Sequence, residues 1–297
     1  MIELFLGVLY GIVVGIIPSA GATTGLVALY GFLYLFSDPY SAIIFIMAVV
    51  AASTTADTFT SVLLGIPGAS SSAATIQDGY PLARKGKAEL ALSAAMTSST
   101  INGLLWGSLV FCFIQNLDFV YMYVGSKELW FITLLSFCSV IFVLGKKWYL
   151  GLIGLLVGIG LSYIGTDPVT NSSRATFGWD YLESGLQIMP VIAGIFALPE
   201  IIDGLTGKKK PVPKSFKNYR LLGIISVLKF KWISLKGGLI GAIIGFLPGL
   251  GGAVADWLAY GQTVATNKKQ TIPFGKGNIR GVIGCEGANN AQKATSM

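Results

Sequence analysis

Three apolar stretches of this chain are long enough to enter a lipid bilayer, and each is broken inside by proline and glycine. They are residues 2–36 at IPSAG, 58–80 at GIPGASSS and 237–266 at LPGLGG. A run of about 20 mainly apolar residues crosses a hydrocarbon core as one helix. Proline removes a helical N–H and glycine weakens the helix, so each stretch reads as two half-helices joined by a loop at membrane depth. Unsatisfied amides are costly in hydrocarbon, so such a loop survives only where protein or a water-filled cavity shields it. Broken helices therefore point to a binding site.

The rest of the chain agrees with lipid as the solvent. Charged residues make up 12% of the 297 residues and hydrophobic ones 53%, whereas a soluble domain carries about 25% charged residues. Five further segments, 40–56, 88–114, 129–144, 148–164 and 186–202, read as full spans. The basic loops at Arg84, Lys85 and Lys87, at Lys146–Lys147, and from Lys208 to Lys236 should face the cytoplasm, and the Lys- and Arg-poor segments 115–128 and 165–185 the periplasm. The net charge of +7 sits in such loops, so it reads as topology and contact with anionic lipid, not nucleic-acid binding. The start Met1-Ile2-Glu3 lacks the basic region of a cleaved signal, so the first stretch is expected to stay in the mature protein.

The fold class expected is thus an all-α polytopic membrane protein with about five full spans and three re-entrant helical hairpins. Histidine is absent, which removes the usual zinc ligand, catalytic triad and proton relay. Cys112, Cys138 and Cys285 are too scattered for a metal pair or a disulfide framework and read as packing residues. The glycine loops lack the GK[ST] ending of a phosphate-binding loop. A carrier is favoured over a channel or a membrane-embedded enzyme.

Residues 11–31 and 241–261 align without gaps: Gly11, Gly15, Pro18, Gly21, Tyr30 and Gly31 meet Gly241, Gly245, Pro248, Gly251, Tyr260 and Gly261. A proline flanked by glycines at fixed spacing reads as a duplication. If each hairpin returns to the side it entered, the five full spans place the copies in opposite orientations. Inverted repeats around discontinuous helices are a recurring construction of secondary transporters. The expected organisation is a first repeat with connecting spans over 1–205, a basic cytoplasmic linker over 206–236, and the start of a second repeat over 237–297.

The stretch LLGIPGASSSAATIQDGYPLARKGKAELAL (63–92), the two Pro-Gly loops, AGIFALPEII (193–202) and GVIGCEGANNA (281–291) closely resemble the large permease subunit of tripartite tricarboxylate transporters. The resemblance implies secondary transport of a tricarboxylate or related carboxylate across the bacterial inner membrane. It implies a small membrane subunit and a periplasmic carboxylate-binding protein as partners, and sodium or protons as the driving ion, with no other cofactor. Two departures stand out. Ser19 and Ala20 occupy the first loop where the family has Pro-Gly-Leu-Gly, and the chain stops at Met297, where the family continues into a second GIPG loop; a truncated permease is expected.

The expected substrate site comprises Ser19, Gly21, Gly65, Pro67, Gly68, Ser70, Ser71, Pro248, Gly249, Gly251, Asn289 and Asn290. Half-helix N-termini offer backbone N–H groups and a favourable dipole, so a carboxylate can be held without arginine; the bland reading is tight helix packing by small residues. The expected cation-coupling set is Thr54, Thr55, Asp57, Thr58 and Glu286. A carboxylate at membrane depth costs about 2.5–3.5 kcal/mol on insertion scales and usually has a partner or a task, although Asp57 also fits a cap of the following half-helix. By analogy between the halves, Glu286, Asn289 and Asn290 take the place of the Asp57 region. Asp256 divides evenly between a site and a packing seam. Asp78, Gly79 and Tyr80 before Pro81 read as a structural turn, and Arg174 as a solvated loop residue.

Overall fold

The computed structural model describes residues 1–18, 20–29, 36, 38–113, 125–144, 148–167, 170–192, 194–195, 198–206, 213, 219–247, 250–267 and 270–296. The helices are α1 (Ile2–Ile16), α2 (Gly21–Leu29), α3 (Pro39–Leu63), α4 (Ala73–Arg84), α5 (Ala88–Phe113), α6 (Ser126–Leu144), α7 (Trp148–Ser162), α8 (Ile188–Ile192), α9 (Leu198–Leu205), α10 (Arg220–Lys229), α11 (Lys231–Gly245), α12 (Gly252–Thr266) and α13 (Ile279–Thr295). A two-residue antiparallel pair, Gly165–Thr166 with Ser173–Arg174, closes a loop after α7. There Arg174 pairs with Asp167 at 3.1 Å and lies over the Tyr163 ring, so it is held within its own loop.

Polarity is inverted relative to a soluble fold. Leu4, Phe5 and Val13 on α1, Ile43 and Met47 on α3, Leu156 and Val157 on α7, and Leu221 and Leu228 on α10 are exposed, while Ser53, Asp57, Thr58, Asp78, Asn102, Asp256, Glu286 and Asn289 are buried. Apolar outside and polar inside is what a bilayer solvent selects. One helix among the described residues, α3, is both long and apolar enough to cross a membrane by length and composition. Asp38 caps its start, accepting from the Tyr40 and Ser41 amides at 2.7 and 3.2 Å with Pro39 at the first helical position. The Ser41 hydroxyl and amide hold the Asp38 carboxyl below the usual carboxylate range. The expected span over 186–202 is described as two pieces, α8 and α9, with residues 193 and 196–197 outside the described set.

Two helix pairs meet in the same way. On α1, side chains at Gly7, Gly11 and Gly15 would strike the carbonyls of Phe45, Val49 and Ser53 on α3; on α11, those at Gly237, Gly241 and Gly245 would strike Gly284, Ala288 and Gln292 on α13. Both series rise together along both chains, so α1 runs parallel to α3, and α11 to α13. Glycine lets the backbones approach where no hydrophobic effect drives helix association. The chain must therefore turn back between the paired helices, and α2 and α12 are the returning limbs. Tyr10 donates to the Gly25 carbonyl at 2.9 Å across the first hairpin.

The helices α3 and α13 meet in falling register. Asn289 donates to the Thr54 carbonyl, Asn290 to Thr55 Oγ1, and Thr58 to Glu286, so α3 and α13 are antiparallel and the two three-helix units are inverted. The α5 helix locks α13 in place: Ser98 donates to the Ile283 carbonyl at 2.8 Å, and Asn102 reaches Ser234 of α11 at 2.7 Å. Each such bond contributes about 0.6 kcal/mol in a membrane fold.

Three sequence expectations need correction. Asp57 lies inside α3, which runs on to Leu63, so it caps nothing. Asp78 is no turn residue: α4 continues through Pro81, and the buried carboxylate accepts from the Gly275, Gly277 and Asn278 amides at 2.9, 2.9 and 2.7 Å and from Tyr260 at 2.8 Å. It ties the first unit to the loop that opens α13. The matched glycine contacts also pair Ser53 with Gln292, which makes Ser296, not Glu286, the equivalent of Asp57. In the expected basic linker, residues 220–236 belong to α10 and the start of α11.

Candidate functional site

The half-helix ends converge on one cavity of about 420 Å³. The first hairpin supplies Ala20, Gly21, Thr23 and Thr24; α3 supplies Ser53, Thr54 and Asp57; the loop before α4 supplies Ala69, Ser70 and Ser71; the second hairpin supplies Gly251 and Gly252; and Lys293 comes from the last turn of α13. Gln187 and Ile192 close one side. The hairpin tips touch this loop, since a side chain at Gly21 would meet Ala69 and one at Gly252 would meet Ser71. A larger hollow of about 650 Å³ lies among Leu155, Ile159 and Trp257. It is an apolar cleft of the kind lipid tails fill.

Each break creates donors. Gly21 adopts φ +63° as α2 begins and Gly251 precedes α12, so the first N–H groups of two helices open near the cavity without intrahelical acceptors. The loop before α4 is held by Ser72, whose Oγ accepts from the Gly68 and Ala69 amides at 3.1 and 3.3 Å. That leaves Ser70 and Ser71 at the cavity. Gly65, with φ +73°, turns the chain against the Tyr80 ring, and Gly68 presses on the Asp57 backbone. Gly65, Pro67 and Gly68 do not line the cavity; they shape the loop. Ser19, Pro248 and Gly249 lie outside the described residues.

Three carboxyl groups are buried around this point, and their surroundings differ. Glu286 accepts from Thr75 at 2.6 Å and from Thr58 at 3.2 Å. Asp57 accepts from Ser71 through Oδ2 at 3.3 Å, but its Oδ1 has no partner. Asp256, fully buried one turn beyond Gly252, has neither oxygen partnered, and Asn289 Oδ1 and Gln292 Oε1 are likewise unsatisfied. Acceptors buried this deeply are costly to leave without a partner. The Thr54 and Thr55 hydroxyls bond back to the Val50 and Ala51 carbonyls at 2.8 and 3.0 Å; Thr55 also accepts from Asn290. Asn290 lines a neighbouring hollow with Met47 and Gly103.

Of the residues expected at the site, Gly21, Ser70, Ser71, Gly251, Thr54 and Asp57 are brought to one cavity, while Thr55, Thr58, Glu286, Asn289 and Asn290 form the α3–α13 seam beside it. Sequence reasoning missed Lys293, Gly252, Thr23, Thr24, Ser53 and Gln187, and gave Asp256 no place among the site residues. The signal for Lys293 was present: it is the basic residue at the end of a helix that otherwise carries small and polar residues after Glu286.

A family model described as "Tripartite tricarboxylate transporter TctA family" matches residues 1–297. A curated relative from Agrobacterium vitis, described as "Uncharacterized 52.8 kDa protein in TAR-I ttuC' 3'region", is 30% identical over 304 aligned residues covering 99% of this chain and 58% of that protein. The chain thus spans little more than half the length of the curated relative. No solved structure matches.

Proposed function

The chain belongs to the tripartite tricarboxylate transporter TctA family, and from that premise we propose that it carries a tricarboxylate or related carboxylate across the bacterial inner membrane, coupled to a cation gradient. The observation that carries this reading is the shared cavity of two inverted hairpins, with helix N-termini and Lys293 offering positive potential and Asp57 offering negative. A carboxylate accepts from the amides that open α2 and α12 and from Ser70 and Ser71. A sodium ion or proton compensates Asp57, and Asp256, Asn289 and Gln292 supply further oxygens behind it. Without that compensation Asp57 repels an anion in the same cavity; with it, the anion is admitted. Occupancy of the two ligands is thereby linked, as symport requires.

Alternating access follows if the two inverted units exchange conformations around the shared cavity. A small membrane subunit and a periplasmic carboxylate-binding protein complete the system in this reading, the latter delivering the substrate to the membrane. The basic loops hold the cytoplasmic side. Counterflow in proteoliposomes containing the assembled transporter tests the proposal. Labelled citrate should accumulate against unlabelled citrate on the opposite side, and only with the coupling ion present. Flux that never shows exchange acceleration would mark a channel.

A further inference from the structure

Lys293 and Asp57 line the same cavity, and yet they do not pair: neither takes part in an ion pair among the described residues. Lys293 is half-buried at the end of α13, and no hydrogen bond ties its ammonium group to another of the described residues. The Asp57 carboxylate keeps a buried oxygen unpartnered. Opposite charges in a low-dielectric cavity attract strongly and normally close on each other. Here both line, unpaired, a space of about 420 Å³, large enough for a small polar ligand. Lys293 is also the one basic residue among the described residues lining the cavity. The helix N-termini that can receive a carboxylate belong to the hairpins, whereas Lys293 projects from α13, so the positive features approach from different elements.

Resting on the transport reading, we propose that Lys293 is a specificity-determining residue that binds a second carboxylate of the substrate, so that the cavity selects di- and tricarboxylates over monocarboxylates. One carboxylate lies on the amides of the broken helices, and the other lies on the Lys293 ammonium. A monocarboxylate engages the amides alone and leaves Lys293 without a ligand.

The test measures uptake of labelled citrate, succinate and propionate by the assembled transporter in proteoliposomes, comparing wild type with Lys293→Gln and Lys293→Arg. The expected result for Lys293→Gln is a rise of about tenfold or more in KM for citrate and succinate, as the loss of one charge-assisted hydrogen bond implies. Propionate should change less than about threefold, kcat should change little, and Lys293→Arg should recover most of the citrate affinity. Equal losses for all three substrates would make Lys293 a structural counter-charge and overturn the proposal, as would an unchanged KM for citrate. Wild-type transporter that moves none of the three overturns the transport reading, and this inference falls with it.

Discussion

The two inverted units share a skeleton but not a chemistry. Gly7, Gly11 and Gly15 set α1 against α3 just as Gly237, Gly241 and Gly245 set α11 against α13. On α3, however, the charged residue that reaches the cavity is Asp57, whereas on α13 it is Lys293, and the acidic residue of α13, Glu286, is turned to the threonines of α3 and α4. The two units thus agree in where backbones approach and where helices break, and differ in the side chains carried where they meet. Inversion then brings unlike residues to one point.

The largest effect should come from the shared skeleton. Gly241→Leu places a side chain against the Ala288 backbone and Gly11→Leu against Val49. Each should cost more than about 4 kcal/mol and abolish the monodisperse protein in detergent size-exclusion runs, because overpacking against backbone has no rotamer escape. Tolerance at one position and collapse at the other would break the equivalence of the units.

Next come the unpartnered acids. Asp57→Asn should reduce cation-dependent citrate uptake at least tenfold while leaving membrane insertion intact. Asp256→Asn should remove the stabilisation that the coupling ion gives in thermal unfolding, yet raise stability by about 1–3 kcal/mol without the ion, since a buried unpaired charge is relieved. Cation dependence that survives Asp57→Asn would remove its coupling role.

The smallest effects belong to groups already satisfied. Glu286→Gln keeps an acceptor for the Thr75 and Thr58 hydroxyls and should shift ion affinity by less than about threefold. A larger shift would move Glu286 from the seam into the ion site. Asn290→Ala loses the 3.0 Å bond to Thr55 and should cost about 1 kcal/mol in thermal stability.

The breaks and the repeat were legible because proline and glycine act locally and their spacing survives in the chain. Part of the cavity lining was legible for the same reason: Gly21, Ser70, Ser71 and Gly251 stand at helix breaks. Asp256, Gln292 and Lys293 were not, since their depth depends on how α12 and α13 register against α3 and α4. That register is set by contacts such as Gly241 on Ala288, far apart in sequence. Asp78 was misread because Pro81 signals a break, whereas the amides of Gly275, Gly277 and Asn278 give its carboxylate a tertiary partner that no local pattern announces. The Glu286 analogy failed because the connection from α12 to α13 is longer than that from α2 to α3, so a shift that aligns the hairpins misaligns the third helices.

The decisive contact is the one between the second hairpin tip and the loop before α4, at the shared cavity. With Cys112, Cys138 and Cys285 replaced, Ser71→Cys and Gly252→Cys introduced together in the assembled transporter should form a disulfide on mild oxidation. The cross-link should arrest citrate counterflow, and reduction should restore it. Two cysteines that each react with a thiol reagent but never join, or a cross-linked transporter that runs at full rate, would contradict it.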